Sequence, residues 1–106
     1  MKYAVFTLAF LMAGHAIAGG GISVSVENFT QDRRVAKAVL KVTNNLGKPA
    51  SNVFVDCAFL NEEKKAVDVS SALIERIPTN DHAYDKASIV TDHDVKYIEC
   101  RVAKFD

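Results

Sequence analysis

The sequence predicts an all-β fold, a sandwich of two antiparallel sheets built from about seven short strands. Apolar and polar residues alternate in several stretches with the two-residue period of a β-strand. Clusters of Asn, Asp, Gly and Pro separate those stretches, and none of them has a convincing helical period. With 106 residues, the chain forms one domain at most.

The first 18 residues have the pattern of a cleaved secretory signal peptide. Lys2 supplies a positive charge, residues 3–13 are almost all apolar, and Ala16-Ile17-Ala18 offers the small residues that a signal peptidase requires. The apolar run is shorter than the ~20 residues of a membrane-spanning helix. We therefore expect cleavage after Ala18, a folded domain over residues 19–106, no membrane insertion after cleavage, and a periplasmic or secreted location.

The charge of the chain is balanced, with 13 basic and 13 acidic residues. Nucleic acids and anionic membranes select proteins with a basic surface, so the composition argues against both as main partners. Charged residues are interspersed along the chain and are typical of solvated turns.

The alternation predicts the strand boundaries in chain order. Strands are expected at residues 22–27, 35–43, 52–60, 66–70, 83–90 and 95–105, with polar turns between them. Val67 and Val69 are expected on one face of the fourth strand. Residues 71–77 fit either a helical turn or another strand, and Pro78 ends that segment.

Two cysteines lie near the centres of predicted strands. Cys57 shares an apolar face with Val53, Val55 and Phe59, and Cys100 lies in the last strand between Ile98 and Val102. An exported small domain with two cysteines and no C-x-x-C motif favours a structural disulfide, Cys57–Cys100. The two strands could be neighbours in one sheet or partners across the core.

Residues 40–61 resemble the small bacterial immunoglobulin-like domains of the FxLYD kind. The resemblance is carried by Val42-Thr43-Asn44, by Val53 and Val55, by Phe59-Leu60-Asn61, and by Ile77-Pro78-Thr79-Asn80 before the next strand. It covers roughly residues 36–90, but no glycine follows the corner, and the expected Pro-Gly step is Pro-Thr. The resemblance implies an immunoglobulin-like fold in an exported bacterial protein. It implies no activity, since such domains mostly act as binding or accessory modules.

The sequence predicts neither catalysis nor a cofactor. No serine lies in a G-x-S-x-G motif, and no cysteine–histidine arrangement suited to nucleophilic chemistry is present. His82 and His93 have acidic neighbours and could bind Zn²⁺ or Cu²⁺. A strand of about eight residues, ~25 Å long, separates them. We therefore expect no metal site, with a metal-binding protein using His82 and His93 as an alternative.

The outward faces of the two cysteine strands predict a protein-binding surface. Phe54, Tyr97, Arg101 and Phe105 combine aromatic rings with charge, as protein-binding surfaces often do. The expected partner is another protein, either a subunit of an envelope complex or a host or competitor protein. A covering loop, or residues 71–77, could instead bury this surface. A third possibility is an inhibitor of an exported hydrolase, presenting residues 28–34 or 80–84 as a loop.

Overall fold

A computed structural model describes residues 21–106, so the predicted signal peptide and its cleavage site lie outside the described residues. The described part forms six β-strands: β1 (Ile22–Asp32), β2 (Val35–Asn44), β3 (Ala50–Leu60), β4 (Ala66–Ile77), β5 (His82–Val90) and β6 (Tyr97–Lys104). Residues 21–106 include no helix with the length and hydropathy needed to cross a membrane.

The six strands form two antiparallel three-stranded sheets. The first sheet has the order β1-β2-β5 and the second has the order β4-β3-β6. The connections β2–β3, β4–β5 and β5–β6 all cross from one sheet to the other. This Greek-key arrangement is that of immunoglobulin-like sandwiches and confirms the predicted fold class.

The core lies between the sheets and is formed by the alternating inward residues of every strand. Its fully buried side chains are concentrated on the two central strands, as expected where a strand is flanked on both sides: Leu40 and Val42 on β2, and Val53, Val55, Cys57 and Phe59 on β3. The alternation of buried and partly exposed positions along β2 and β3 follows the sequence pattern.

Cys57 and Cys100 form the predicted disulfide, and the structure places both in the second sheet. They lie directly opposite each other on β3 and β6, with their Cα atoms 4.0 Å apart. Antibody domains carry their disulfide between the two sheets instead. The bridge here therefore fixes the register of β6 on β3 rather than joining the layers of the sandwich.

The structure corrects two details of the predicted strands and decides between the alternatives for residues 71–77. β1 continues to Asp32 through a bulge between Val26 and Asn28, so residues 28–34 are not a loop. Residues 71–77 continue β4 as a strand, which gives six strands rather than about seven. Val67 and Val69 do not share a face, because the register of β4 on β3 shifts between Phe59 and Leu60. Val67 packs against the core, whereas Val69 is exposed.

One end of the sandwich is closed by Asn44, the last residue of β2. Its side chain is completely buried, and its Nδ2 donates to the carbonyl oxygens of Lys48, Ile77 and Pro78 at 2.8, 3.0 and 3.2 Å. Its Oδ1 accepts from the backbone N–H of Leu46 at 2.9 Å. Because Ile77 ends β4 in the second sheet, this one amide joins the ends of both sheets.

Candidate binding face on the second sheet

The solvent-facing side of the second sheet, here called the outer face, is built from three strands in register. Each row across it contains one residue of β4, one of the central strand β3 and one of β6. The rows are Val69–Ala58–Glu99, Ser71–Asp56–Arg101 and Leu73–Phe54–Lys104. Successive residues of a strand point to opposite sides of the sheet. The side chains in these rows therefore share the solvent-facing side, while their neighbours along each strand face the core.

The apolar part of the outer face combines exposed aliphatic and half-buried aromatic side chains. Val69 is 65% exposed and Leu73 is 45% exposed. The Lys104 ammonium lies 4.8 Å from the centre of the Phe54 ring, and the Lys64 ammonium lies 5.1 Å from that of Tyr97. Cation–π attraction of this kind holds a lysine over an aromatic ring without removing its charge from water.

The middle row of the outer face is polar. Ser71 Oγ donates a hydrogen bond of 2.8 Å to Asp56 Oδ1. Arg101 is the register neighbour of Asp56 on the other side, and both Glu99 and Arg101 are exposed. Within residues 21–106, no ion pair shorter than 4.0 Å engages Arg101. Its guanidinium is thus available to a carboxylate from outside the domain.

A shallow depression of about 640 Å³ lies over the centre of β3. Small Ala58 and Asp56 form its floor, and the flanking strands contribute its walls: Val69 and Ser71 from β4, and Glu99 and Arg101 from β6. The depression therefore offers an apolar side chain and both signs of charge within one open concavity.

Three of the four residues predicted for the binding surface lie on the outer face, but Phe54 and Tyr97 are at opposite ends of it. Phe54 is opposite Lys104 and Tyr97 is opposite Leu60, so the two rings are separated by roughly 20 Å along β3. Phe54 on β3 and Tyr97 and Arg101 on β6 belong to neighbouring strands, and residues 71–77 lie beside β3 rather than over it. Phe105 follows β6 and is 37% exposed. Phe54 and Tyr97 are only half-exposed, and Tyr97 also packs against the core.

Sequence reasoning missed Val69 and Leu73, which expose the most apolar surface on the outer face. The pattern Val69-x-Ser71-x-Leu73 is a period-2 signal, but its neighbours Ala72 and Ile74 are also apolar. A strand that is apolar on both sides does not reveal which side is buried. The register of β4 on β3 determines which side is buried. Ala72 and Ile74 are opposite the buried Val55 and Val53, so Val69 and Leu73 face solvent.

The two histidines lie far apart. His82 begins β5, and His93 lies beyond the other end of that strand, in the connection to β6. Nine residues of extended strand span ~30 Å, so the segment does not fold back to bring the rings together. His82 Nδ1 lies 3.9 Å from Asp81 Oδ1. Within residues 21–106, no group of three or more His, Cys, Asp or Glu side chains could hold a metal ion.

Neither segment proposed as an inhibitory loop is a long loop. Residues 28–32 belong to β1, and Arg33 and Arg34 alone form the turn to β2. Residues 82–84 belong to β5, leaving a short turn after Pro78. Arg34 at the first turn is held by an ion pair of 2.7 Å to Asp92. An inhibitor that inserts an extended loop into an active site would need more free chain than these turns provide.

No protein-family model matches the chain, and no curated protein matches it. Among solved structures, the chain is similar to the Salmonella enterica trimeric lipoprotein SadB, with a TM-score of 0.54 and 13% sequence identity. The match covers 83% of this chain and 52% of SadB, so the chain spans about half the length of that structure. At this identity the likeness concerns the fold alone.

Proposed function

We propose that this protein is a non-enzymatic, exported binding or accessory module that holds another protein on the outer face of the second sheet. The observation that carries the proposal is the depression over β3, where exposed Val69, the small Ala58 and the Arg101 guanidinium lie side by side. Among residues 21–106, no ion pair engages Arg101. Arginine is enriched at protein interfaces, and a concave, partly apolar surface excludes water on contact.

The first sheet is less suited to the same role. Its central strand β2 presents Lys37, Val39 and Lys41 to solvent, whereas β3 presents Phe54, Asp56 and Ala58. Lysine is depleted at interfaces because immobilising its long side chain costs conformational entropy. The second sheet therefore offers the better contact surface, although both sheets expose individual apolar residues.

Export is part of the proposal and is supported by the disulfide. Cys57 and Cys100 are both buried and bridged, and such bonds form and persist in oxidising compartments. The signal-peptide pattern of residues 1–18 indicates the same destination. The partner that fits is a protein of the envelope or the extracellular space that presents an apolar side chain to Val69 and Ala58 in the depression.

The test compares two double variants with matched exposure. Val69→Lys/Leu73→Lys alters the outer face at residues that are 65% and 45% exposed. Val90→Lys/Val35→Lys alters the first sheet at residues that are 62% and 46% exposed, and serves as the control. Each variant is crosslinked in the source cell, and the captured proteins are identified by mass spectrometry beside the wild type.

We expect one partner to be captured by the wild type and by the first-sheet control but lost from the outer-face variant. Circular dichroism must show that both variants are folded. We expect this because all four replaced residues are exposed, and surface substitutions usually change stability by less than ~0.5 kcal/mol each. Equal capture by both variants, or loss from the first-sheet variant only, would show that the outer face is not the binding surface.

A further inference from the structure

The four edge strands of the sandwich differ in how they discourage pairing with another chain. β4 and β5 each place an aspartate at a core-facing register position: Asp68 is opposite Phe59, and Asp85 is opposite Leu40. β1 is interrupted by its bulge between Val26 and Asn28. Inward-pointing charges and bulges are the devices by which natural sheets prevent edge-to-edge association.

β6 lacks both devices over residues 98–102. Its core-facing residues are Ile98, Cys100 and Val102, and its register on β3 is regular until the shift that follows Val102. Beyond that shift the chain stays on β3, since the backbone groups of Asp106 and Ser51 exchange hydrogen bonds of 2.8 and 3.1 Å. Residues 21–106 therefore supply no strand on the outer side of β6.

The disulfide determines which backbone groups face this open edge. The 4.0 Å Cα separation of Cys57 and Cys100 matches the ~4.5 Å of an antiparallel pair that exchanges no backbone hydrogen bonds, rather than the ~5.5 Å of a bonded pair. The backbone N–H and C=O groups of Glu99 and Arg101 therefore form the hydrogen bonds to β3. The N–H and C=O groups of Cys100, and by alternation those of Ile98 and Val102, point towards the open edge.

The charges on β6 are self-complementary about Cys100. Glu99 and Arg101 flank it on the outer face, one residue to each side. In an antiparallel pair of two β6 strands centred on Cys100, Glu99 of each copy lies opposite Arg101 of the other. These would be the closer, non-bonded pairs of the ladder, where opposite charges attract most strongly across strands.

We propose that two copies of this chain associate through β6, with a two-fold axis at Cys100 that merges the two second sheets into one sheet of six strands. Cys100 pairs with its counterpart, and Ile98 pairs with Val102, which gives about six backbone hydrogen bonds. The contact is isologous, as in most homodimers. The two-fold axis is perpendicular to the sheet, so both outer faces lie on the same side and form one surface of doubled width.

Charge-reversal variants test this arrangement, and combining them should restore self-association. Glu99→Lys and Arg101→Glu each place like charges opposite one another twice in the dimer, and each should weaken self-association at least about tenfold. The double variant Glu99→Lys/Arg101→Glu restores opposite charges in reversed order. An equimolar mixture of the two single variants restores them as well, in a heterodimer. Sedimentation equilibrium of the protein produced from the full-length chain measures all five samples.

Amide hydrogen exchange shows where the contact lies. At concentrations at which the wild type is dimeric, exchange should slow at Ile98, Cys100 and Val102, whereas Glu99 and Arg101, already bonded to β3, should change little. A wild type that stays monomeric at all concentrations would overturn the proposal. Single variants that associate as tightly as the wild type would also overturn it, and so would a mixture of the two single variants that fails to form heterodimers. Protection on another strand would also overturn it.

Discussion

Replacing Asn44 with alanine should lower the free energy of unfolding by about 3 kcal/mol. The Asn44 side chain is 0% exposed and makes four hydrogen-bond contacts. The two N–H groups of Nδ2 donate to three carbonyl oxygens, so one N–H is shared between two of them, and Oδ1 accepts the fourth bond. These bonds connect the end of β2 to the following loop and to the end of β4. Alanine removes all four, and no other described side chain donates to the same carbonyl oxygens.

The magnitude follows from how deeply each bond is buried. The bond to the Ile77 carbonyl is buried, so losing it leaves an acceptor that water cannot reach, at a cost of about 1–3 kcal/mol. The other three bonds are partly buried, and water can replace them in part, so each contributes only ~0.5 kcal/mol. A loss of about 3 kcal/mol would lower the melting temperature of a domain this small by roughly 12–24 °C.

Urea unfolding of four proteins measures the effect: the wild type, Asn44→Ala, Asn44→Asp and the control Asn45→Ala. Asn45 is exposed, so its replacement should change the free energy of unfolding by less than ~0.5 kcal/mol. Asn44→Asp keeps the acceptor for Leu46 but turns an oxygen towards three carbonyl oxygens, and should be at least as unstable as Asn44→Ala. A loss below ~1 kcal/mol for Asn44→Ala, or a stable Asn44→Asp, would refute the reasoning.

Two further predictions concern the second sheet. Replacing Cys57 and Cys100 together with alanine should lower the free energy of unfolding by about 4 kcal/mol, because the bridge joins residues 43 apart and restricts the unfolded chain. The wild type with reductant should match this variant in urea unfolding, and a loss under ~1 kcal/mol in both would contradict the estimate. Phe59→Ala should cost about 3–5 kcal/mol because its ring is completely buried, whereas Phe105→Ala should cost under ~1 kcal/mol. Equal losses in the same assay would show that Phe105 is a core residue.

The sequence was most informative where one strand face is uniformly apolar. On β2 and β3 the alternation identified the buried side chains, since a two-residue period depends only on the local backbone. It was least informative for residues 71–77, where apolar residues fall on both faces. Their pairing with β3, which places Leu73 beside Phe54, made them a strand and left Leu73 on the surface.

The sequence by itself therefore determined the class of fold, the cysteine pair and most of the core. Tertiary structure alone decided that the disulfide lies within one sheet, that β1 passes through a bulge to Asp32, and that Val69 faces solvent while Val67 does not. It also decided that β6 is an edge strand with no neighbour on its outer side within residues 21–106. The physical reason is that register and strand order are set by hydrogen bonds between residues far apart in the chain. The two-residue hydrophobic period of a single strand specifies neither its register nor its place in the sheet. A shift of the register by one residue reverses which side chains are buried.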